Sequence, residues 1–120
     1  MEYNYMTEFD QFQNNFKRAE TGPDEVGELI MKMAGHYARY NVQYADKLRA
    51  FCAVMAGIIN SIDIQSGKGM SASKTEILGA ATVESAAFQI AKIHINNLQE
   101  YINSLKSLQK SLMIEYGHVQ

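Results

Sequence analysis

The stretch ILGAATVESAAFQIAKIHINNLQEYINSLKSLQKSLMIEY, residues 77–116, places Ile77, Ala81, Glu84, Phe88, Ala91, Ile95, Leu98, Ile102, Leu105, Gln109, Leu112 and Tyr116 at alternating steps of three and four. That spacing is the seam of a long helix packed on another helix. Residues 30–62 repeat the pattern through Ile30, Ala34, Tyr37, Asn41, Tyr44, Leu48, Phe51, Met55, Ile58 and Ile62. A short Ser/Gly-rich segment, SGKGMSAS at 66–73, joins the two. The fold class is therefore all-α: a long antiparallel helical hairpin of coiled-coil type.

Working outward from the seams gives three helices in one domain, 1–120. Tyr5, Phe9, Phe12 and Phe16 make one aromatic face, which predicts a short amphipathic helix over about 7–19. Thr21-Gly22-Pro23-Asp24 breaks it: Gly22 suits a C-terminal cap, and Pro23 with the acids Asp24, Glu25 and Glu28 suits the positive end of a new helix. That helix is expected over about 24–65, ending where Gly67 and Gly69 give the backbone freedom to reverse. Ser73-Lys-Thr-Glu76 reads as a capping box opening a third helix over about 73–116. Each long helix spans roughly 60 Å.

Folding the seams together sets Phe51 against Phe88, Leu48 against Ala91, Tyr44 against Ile95, Tyr37 against Ile102 and Ile62 against Ile77. Two polar misfits fall in that register, Asn41 opposite Leu98 and Glu84 opposite Met55, and a lone polar seam residue fixes register or oligomer state at some cost.

A hairpin needs only one buried stripe per helix, yet the turn-proximal outer faces carry Ala53, Ala56 and Gly57 on one helix and Val83, Ala86, Ile90 and Ile93 on the other. A helix apolar nearly all round is covered by further helices. The aromatic helix can cover one such face, of its own chain or of a neighbouring copy, but not both, so Phe9, Phe12 and Phe16 are expected with these outer-face residues at the interface of a homo-oligomeric bundle.

Composition sets limits on function. With 47% hydrophobic and 20% charged residues, the chain is of ordinary globular type. Its longest uncharged run, Ala50–Ile62, is too short to span a bilayer, and its amino terminus shows no basic start or apolar run; a soluble, cytoplasmic protein is expected, with no membrane partner. Cys52 is the only cysteine and sits beside the seam, so it reads as a buried thiol. His36, His94 and His118 are too far apart for a local metal site and read as surface or helix-edge residues; no metal or cofactor is expected. No nucleophile elbow, catalytic-thiol signature or dinucleotide fingerprint occurs, so a non-enzymatic role is expected.

Net charge is −2, but the acids concentrate before residue 29, leaving bases in excess on the hairpin. Two groups could meet an anion. Lys68, Ser71, Ser73 and Lys74 lie at a helix amino end, where free amides and the dipole favour phosphate. Arg39, Lys47 and Arg49, interleaved with Tyr37, Tyr40 and Tyr44, offer phosphate contacts beside rings able to stack bases, although Tyr37 and Tyr44 already belong to the seam.

The acidic short leader, the helix entered through GPDEVGELIMKMAGHYARYNVQYADKLR, the Ser66-Gly67-Lys68-Gly69 turn and the long closing helix together resemble the UvsY-type recombination mediators of phage, over residues 20–110. The resemblance implies a phage-encoded oligomer in the host cytoplasm that binds single-stranded DNA and helps load a recombinase, with Lys68, Lys74, Arg39, Lys47 and Arg49 as phosphate contacts. The acidic balance and the carboxy end SLMIEYGHVQ, which lacks a basic tail, depart from that family. The competing expectation is a protein-interaction module with no nucleic-acid role, such as a phage inhibitor of a host system or an assembly chaperone.

Overall fold

A computed structural model describes residues 4–119, with side chains through Gly117; the His118 side chain lies outside the described residues. The chain is all-helical: α1 (Tyr5–Asn15), α2 (Pro23–Ile59), α3 (Ala72–Ala80) and α4 (Val83–Val119). Among the described residues the only β-type pairing is an isolated antiparallel bridge between Ile62 and Gly69.

Local chemistry sets the ends. The Asn4 side chain accepts hydrogen bonds from the Met6 and Thr7 amides and caps α1. That helix stops earlier than the seam spacing suggests because Phe16 is extended and the Lys17 carbonyl turns the chain, accepting from the Glu20 and Thr21 amides at 2.9 Å. Pro23 opens α2 with Asp24 and Glu25 in its first turn. The Ser61 hydroxyl and amide both bond the Ile58 carbonyl, so α2 ends at Ile59 instead of near residue 65.

The single closing helix expected over 73–116 is two helices. Ser71, not Ser73, is the cap of α3, accepting from the Lys74 amide at 3.2 Å, so the Ser73–Glu76 capping box does not form. Thr82 interrupts the rod: its hydroxyl donates to the Gly79 carbonyl (2.7 Å) and accepts from the Ser85 amide (3.1 Å), ending α3 and starting α4.

The chain divides into two compact units, one of residues Tyr40–Ile95 and one of the segments on either side. In the flanking-segment unit α1, the start of α2 and the end of α4 enclose a closely packed core. Tyr5, Val26, Met33, Leu98, Leu105 and Leu112 are its largest fully buried side chains, each contributing roughly 1.5–3 kcal/mol for an aliphatic side chain. Its antiparallel helices are tied by Gln109, which donates to the Pro23 carbonyl (3.1 Å), and by Arg18, which bonds both Glu115 (2.7 Å) and Ser111 (2.6 Å).

The Tyr40–Ile95 unit is built differently. Its interior is a ring cluster, with Phe51 stacked on Phe88 at 5.1 Å, Tyr44 beside Phe88 at 6.0 Å and Tyr40 against His94 at 4.9 Å. Ala91 and Ile95 are buried, as are Thr75, Ser85 and Asp63. None of the six largest fully buried side chains lies in this unit.

The Phe51–Phe88 pairing of the expected register is present, and its misfits dissolve. Asn41 and Ala34 are exposed, while Met33 and His36 are buried and Tyr40 half-buried. A straight helix falls out of step with a seven-residue repeat by about 20° per heptad, which moves the stripe by one residue. Met55 meets Gly79 instead of Glu84, because the break at Thr82 resets the facing helix.

Candidate interaction surface

The turn after α2 is organised by Asp63. Its amide donates to the Lys68 carbonyl and its carbonyl accepts from the Gly67 amide, both at 2.7 Å, with Gly67 at φ +70°, the left-handed region glycine tolerates. Its carboxylate accepts from the Gln65 amide at Oδ1 (3.0 Å) and from the Lys74 ammonium at Oδ2. The Lys74 hydrogen bond, with help from Gln65 and Ser66, holds the Asp63 carboxyl below its ordinary range against the opposing effect of burial. This polar clamp pins the turn to α3.

Beside the clamp lies an open groove of 530 Å³ lined by Ile62, Ile64, Met70, Ile77 and Leu78, with Asp63 and Lys74 supplying its polar edge. Ile62 and Ile77, expected to close the seam, are instead 67% and 69% exposed, and Ile64 is 97% exposed. The clamp holds the backbone of the turn by polar bonds alone, so nothing pulls these side chains inward. The sequence carried a signal for this: isoleucines at 62 and 64 flank Asp63 in a polar turn, where no helix face can take them.

A second apolar area follows on α4. Val83, Ala86, Ile90 and Ile93 fall at steps of three and four on the side of α4 opposite Phe88 and are all exposed. On α2, Ala53, Ala56 and Gly57 are also exposed, as is Cys52, which was expected to be buried. Phe9, expected between copies, is buried within its own chain on Tyr101, and Phe12 and Phe16 are half-buried with their rings 5.6 Å apart.

The basic candidates are largely engaged one by one. Lys74 is paired with Asp63, Arg49 with Asp46 (3.1 Å), and Arg39 donates to His36 Nδ1. Ser71 is occupied as the α3 cap and Ser73 is exposed within α3. Lys47 and Lys68 are exposed with no ion pair among the described residues. Lys47 and Arg49 point about 160° apart around α2, and Lys47 sits about 18 Å of helix before its end. Within this unit the bases therefore do not gather on one face, and Tyr40 is engaged with His94.

His36 is not the surface or helix-edge residue expected, while His94 is half-buried at the helix edge. His36 is buried, with Nε2 2.8 Å from Glu8 Oε1, and His94 is half-buried on Tyr40. Because Arg39 can only donate, His36 Nδ1 must accept, which selects the Nε2–H tautomer donating to Glu8. Among the described residues no cluster of three or more His, Cys, Asp or Glu side chains could hold a metal ion. No helix among them is long and apolar enough to cross a membrane. Compared with known proteins, the chain matches no family model, no curated protein and no solved structure.

Proposed function

We propose that this protein is a non-enzymatic helical interaction module, which works by presenting the apolar surface of its Tyr40–Ile95 unit to another protein. The observation that carries the reading is the contrast between the two units. One encloses six fully buried large side chains and leaves Met31, Met113 and Ile114 more than half exposed, whereas the other has none of those six and leaves Ile59, Ile62, Ile64, Ile77, Val83, Ile90 and Ile93 more than half exposed. Fully burying such a side chain gains roughly 1.5–3 kcal/mol, and these, already partly covered, gain a share of that each when a partner covers them.

A single-stranded DNA role, as in recombination mediators, requires cations gathered along a backbone path. Lys74 and Arg39 are bonded to Asp63 and His36, and Arg49 shares a largely exposed pair with Asp46, which favours the protein-interaction reading.

Two measurements test it together. Fluorescence anisotropy of a labelled single-stranded oligonucleotide is expected to show no salt-sensitive binding; binding that falls with salt and is weakened by Lys47→Glu with Lys68→Glu would overturn the reading. An apolar fluorophore is expected to bind the parent protein and to bind the Ile64→Asp, Ile77→Asp variant markedly less. Equal binding to both would remove the groove from consideration.

A further inference from the structure

We infer that the joint at Ala81 and Thr82 is a two-state element: α3 and α4 also join into one unbroken helix, and exchange between the two forms opens and closes the apolar groove beside the turn. As a control on that groove the inference rests on reading the groove as an interface, while the joint itself stands on geometry alone.

Two faces of α3 compete for α2. In the structure Thr75 and Gly79 are buried, with Met55 over Gly79, while Ile77 is 69% exposed and lines the groove. Phe88, stacked on Phe51, marks the side of α4 that faces α2. At about 100° per residue, an unbroken helix carries Thr75 and Gly79 about 140° and 180° round from Phe88 and brings Ile77 and Ala81 within about 20° of it. Joining the helices therefore exchanges the two faces: Ile77 turns onto α2 and Thr75 turns out. With Ile77 withdrawn from its wall, the groove closes.

Each form has its own polar bonds. The broken form is held by the Ser71 cap, by the Asp63–Lys74 clamp and by the Thr82 hydroxyl, which bonds the Gly79 carbonyl and the Ser85 amide. The unbroken form has the capping box of Ser73 and Glu76, whose side chains are both exposed and idle in the broken one. It also regains the helical bonds that the joint interrupts. Neither form is without a cap, and neither leaves α3 without a face to set on α2.

Little backbone has to move between them. Ala81 has φ −84° and ψ −1°, so a turn of about 40° in ψ takes it to the helical value. Among the described residues no non-glycine residue has a positive φ, and the one proline of the chain, Pro23, is far from the joint. The amides at the joint already bond one residue short of their helical partners, Ala81 to the Leu78 carbonyl at 3.3 Å and Thr82 to the Gly79 carbonyl at 3.2 Å. Such three-residue turns inside a helical run are where hinges form.

Thiol accessibility in the full chain, on a Cys52→Ser background, reads the exchange. Ile77→Cys and Thr75→Cys are each placed in three joints. The first is the parent joint. The second carries Val83→Pro, which suits the first position of α4 and denies an unbroken helix its Val83 amide. The third carries Thr82→Ala with Lys74→Met, which removes the side-chain bonds holding the break. Towards a maleimide, Ile77→Cys is expected to react fast in the first two joints and about tenfold slower in the third. Thr75→Cys is expected to change in the opposite sense, protected in the first two and exposed in the third. Opposite changes mark a turned helix, whereas unfolding of α3 speeds both reactions. Equal rates in all three joints, or faster reaction at both positions in the third, would overturn the inference. These rates decide the joint whatever the groove binds: a groove that takes no apolar fluorophore would remove the interface reading and leave the two-state joint to stand or fall on them.

Discussion

Phe9 lies flat on Tyr101, with ring centroids 4.0 Å apart and planes 4° from parallel, and this stack fixes α1 to its own chain. Tyr5 packs at a tilt on the same ring, with centroids 5.9 Å apart, and on His36 at 6.2 Å. Burial, with Asp10 and Glu100 nearby, pushes the Tyr101 hydroxyl pKa up. Phe9→Ala empties a site that is 7% exposed and is expected to cost about 3–5 kcal/mol. Hydrogen exchange should then show lost protection across Tyr5–Asn15 with no change in association. A variant that changed association while keeping α1 protected would return Phe9 to a role between copies.

The Asp63–Lys74 pair makes the turn sensitive to acid in one direction. The folded pKa of Asp63 lies below its ordinary value of 3.8, so the stabilisation is present in full above that value and is lost as pH falls through the lower, folded one. Between neutral pH and pH 5 the turn should therefore be indifferent to acid. Lys74→Met removes the largest cause of the shift, and the Asp63 carboxyl resonance should titrate closer to its ordinary position. An unchanged titration in Lys74→Met would mean that the ammonium does not hold the carboxylate in solution.

How much of this was legible beforehand depends on the range of the interaction involved. The helical content and the Phe51–Phe88 contact follow from apolar spacing, a local property repeated over many turns. The break at Thr82 did not stand out because neither Ala81 nor Thr82 is a strong helix breaker; its only trace was Gly79 followed three residues later by a residue type suited to capping. The exposure of Ile62 and Ile77 was hidden for another reason. Periodicity reports which residues share a face and not what covers it, and here the Asp63–Lys74 clamp replaces the last seam layer. Engagement of Lys74, Arg49 and Arg39 by neighbouring side chains was likewise invisible to a count of bases.

Gly67 and Gly69 both fall in the turn, yet only Gly67 needs to be glycine. Gly67 has φ +70°, where a Cβ is strained whatever the space around it, while Gly69 has no such backbone and nothing within 4 Å of a Cβ. Gly67→Ala is expected to cost about 1–2 kcal/mol, and Gly69→Ala to change stability by less than about 0.5 kcal/mol. Urea unfolding of the two variants compares them directly, and equal losses would show that the reversal does not depend on the left-handed residue.

Met55 covers Gly79 so closely that a Cβ there would collide with its sulfur, the tightest such approach at any glycine of the described residues. The colliding atom belongs to a flexible side chain, so Gly79→Ala sets a small displacement of Met55 against the gain of about 1 kcal/mol that alanine brings to a helix. The two offset, and the net change is expected to stay within about 1 kcal/mol of zero. Gly79→Leu is different, because a branched side chain forces α3 off α2 and overpacking costs about 1–3 kcal/mol. Met55→Ala alone opens a space and also destabilises, but combined with Gly79→Leu it makes the room the leucine needs. The double variant should therefore be more stable than the sum of the single losses implies, by about 1–2 kcal/mol in a double-mutant cycle. Simple additivity would mean that the two residues do not meet, and that the cover α3 gives to α2 rests on the Asp63–Lys74 clamp alone.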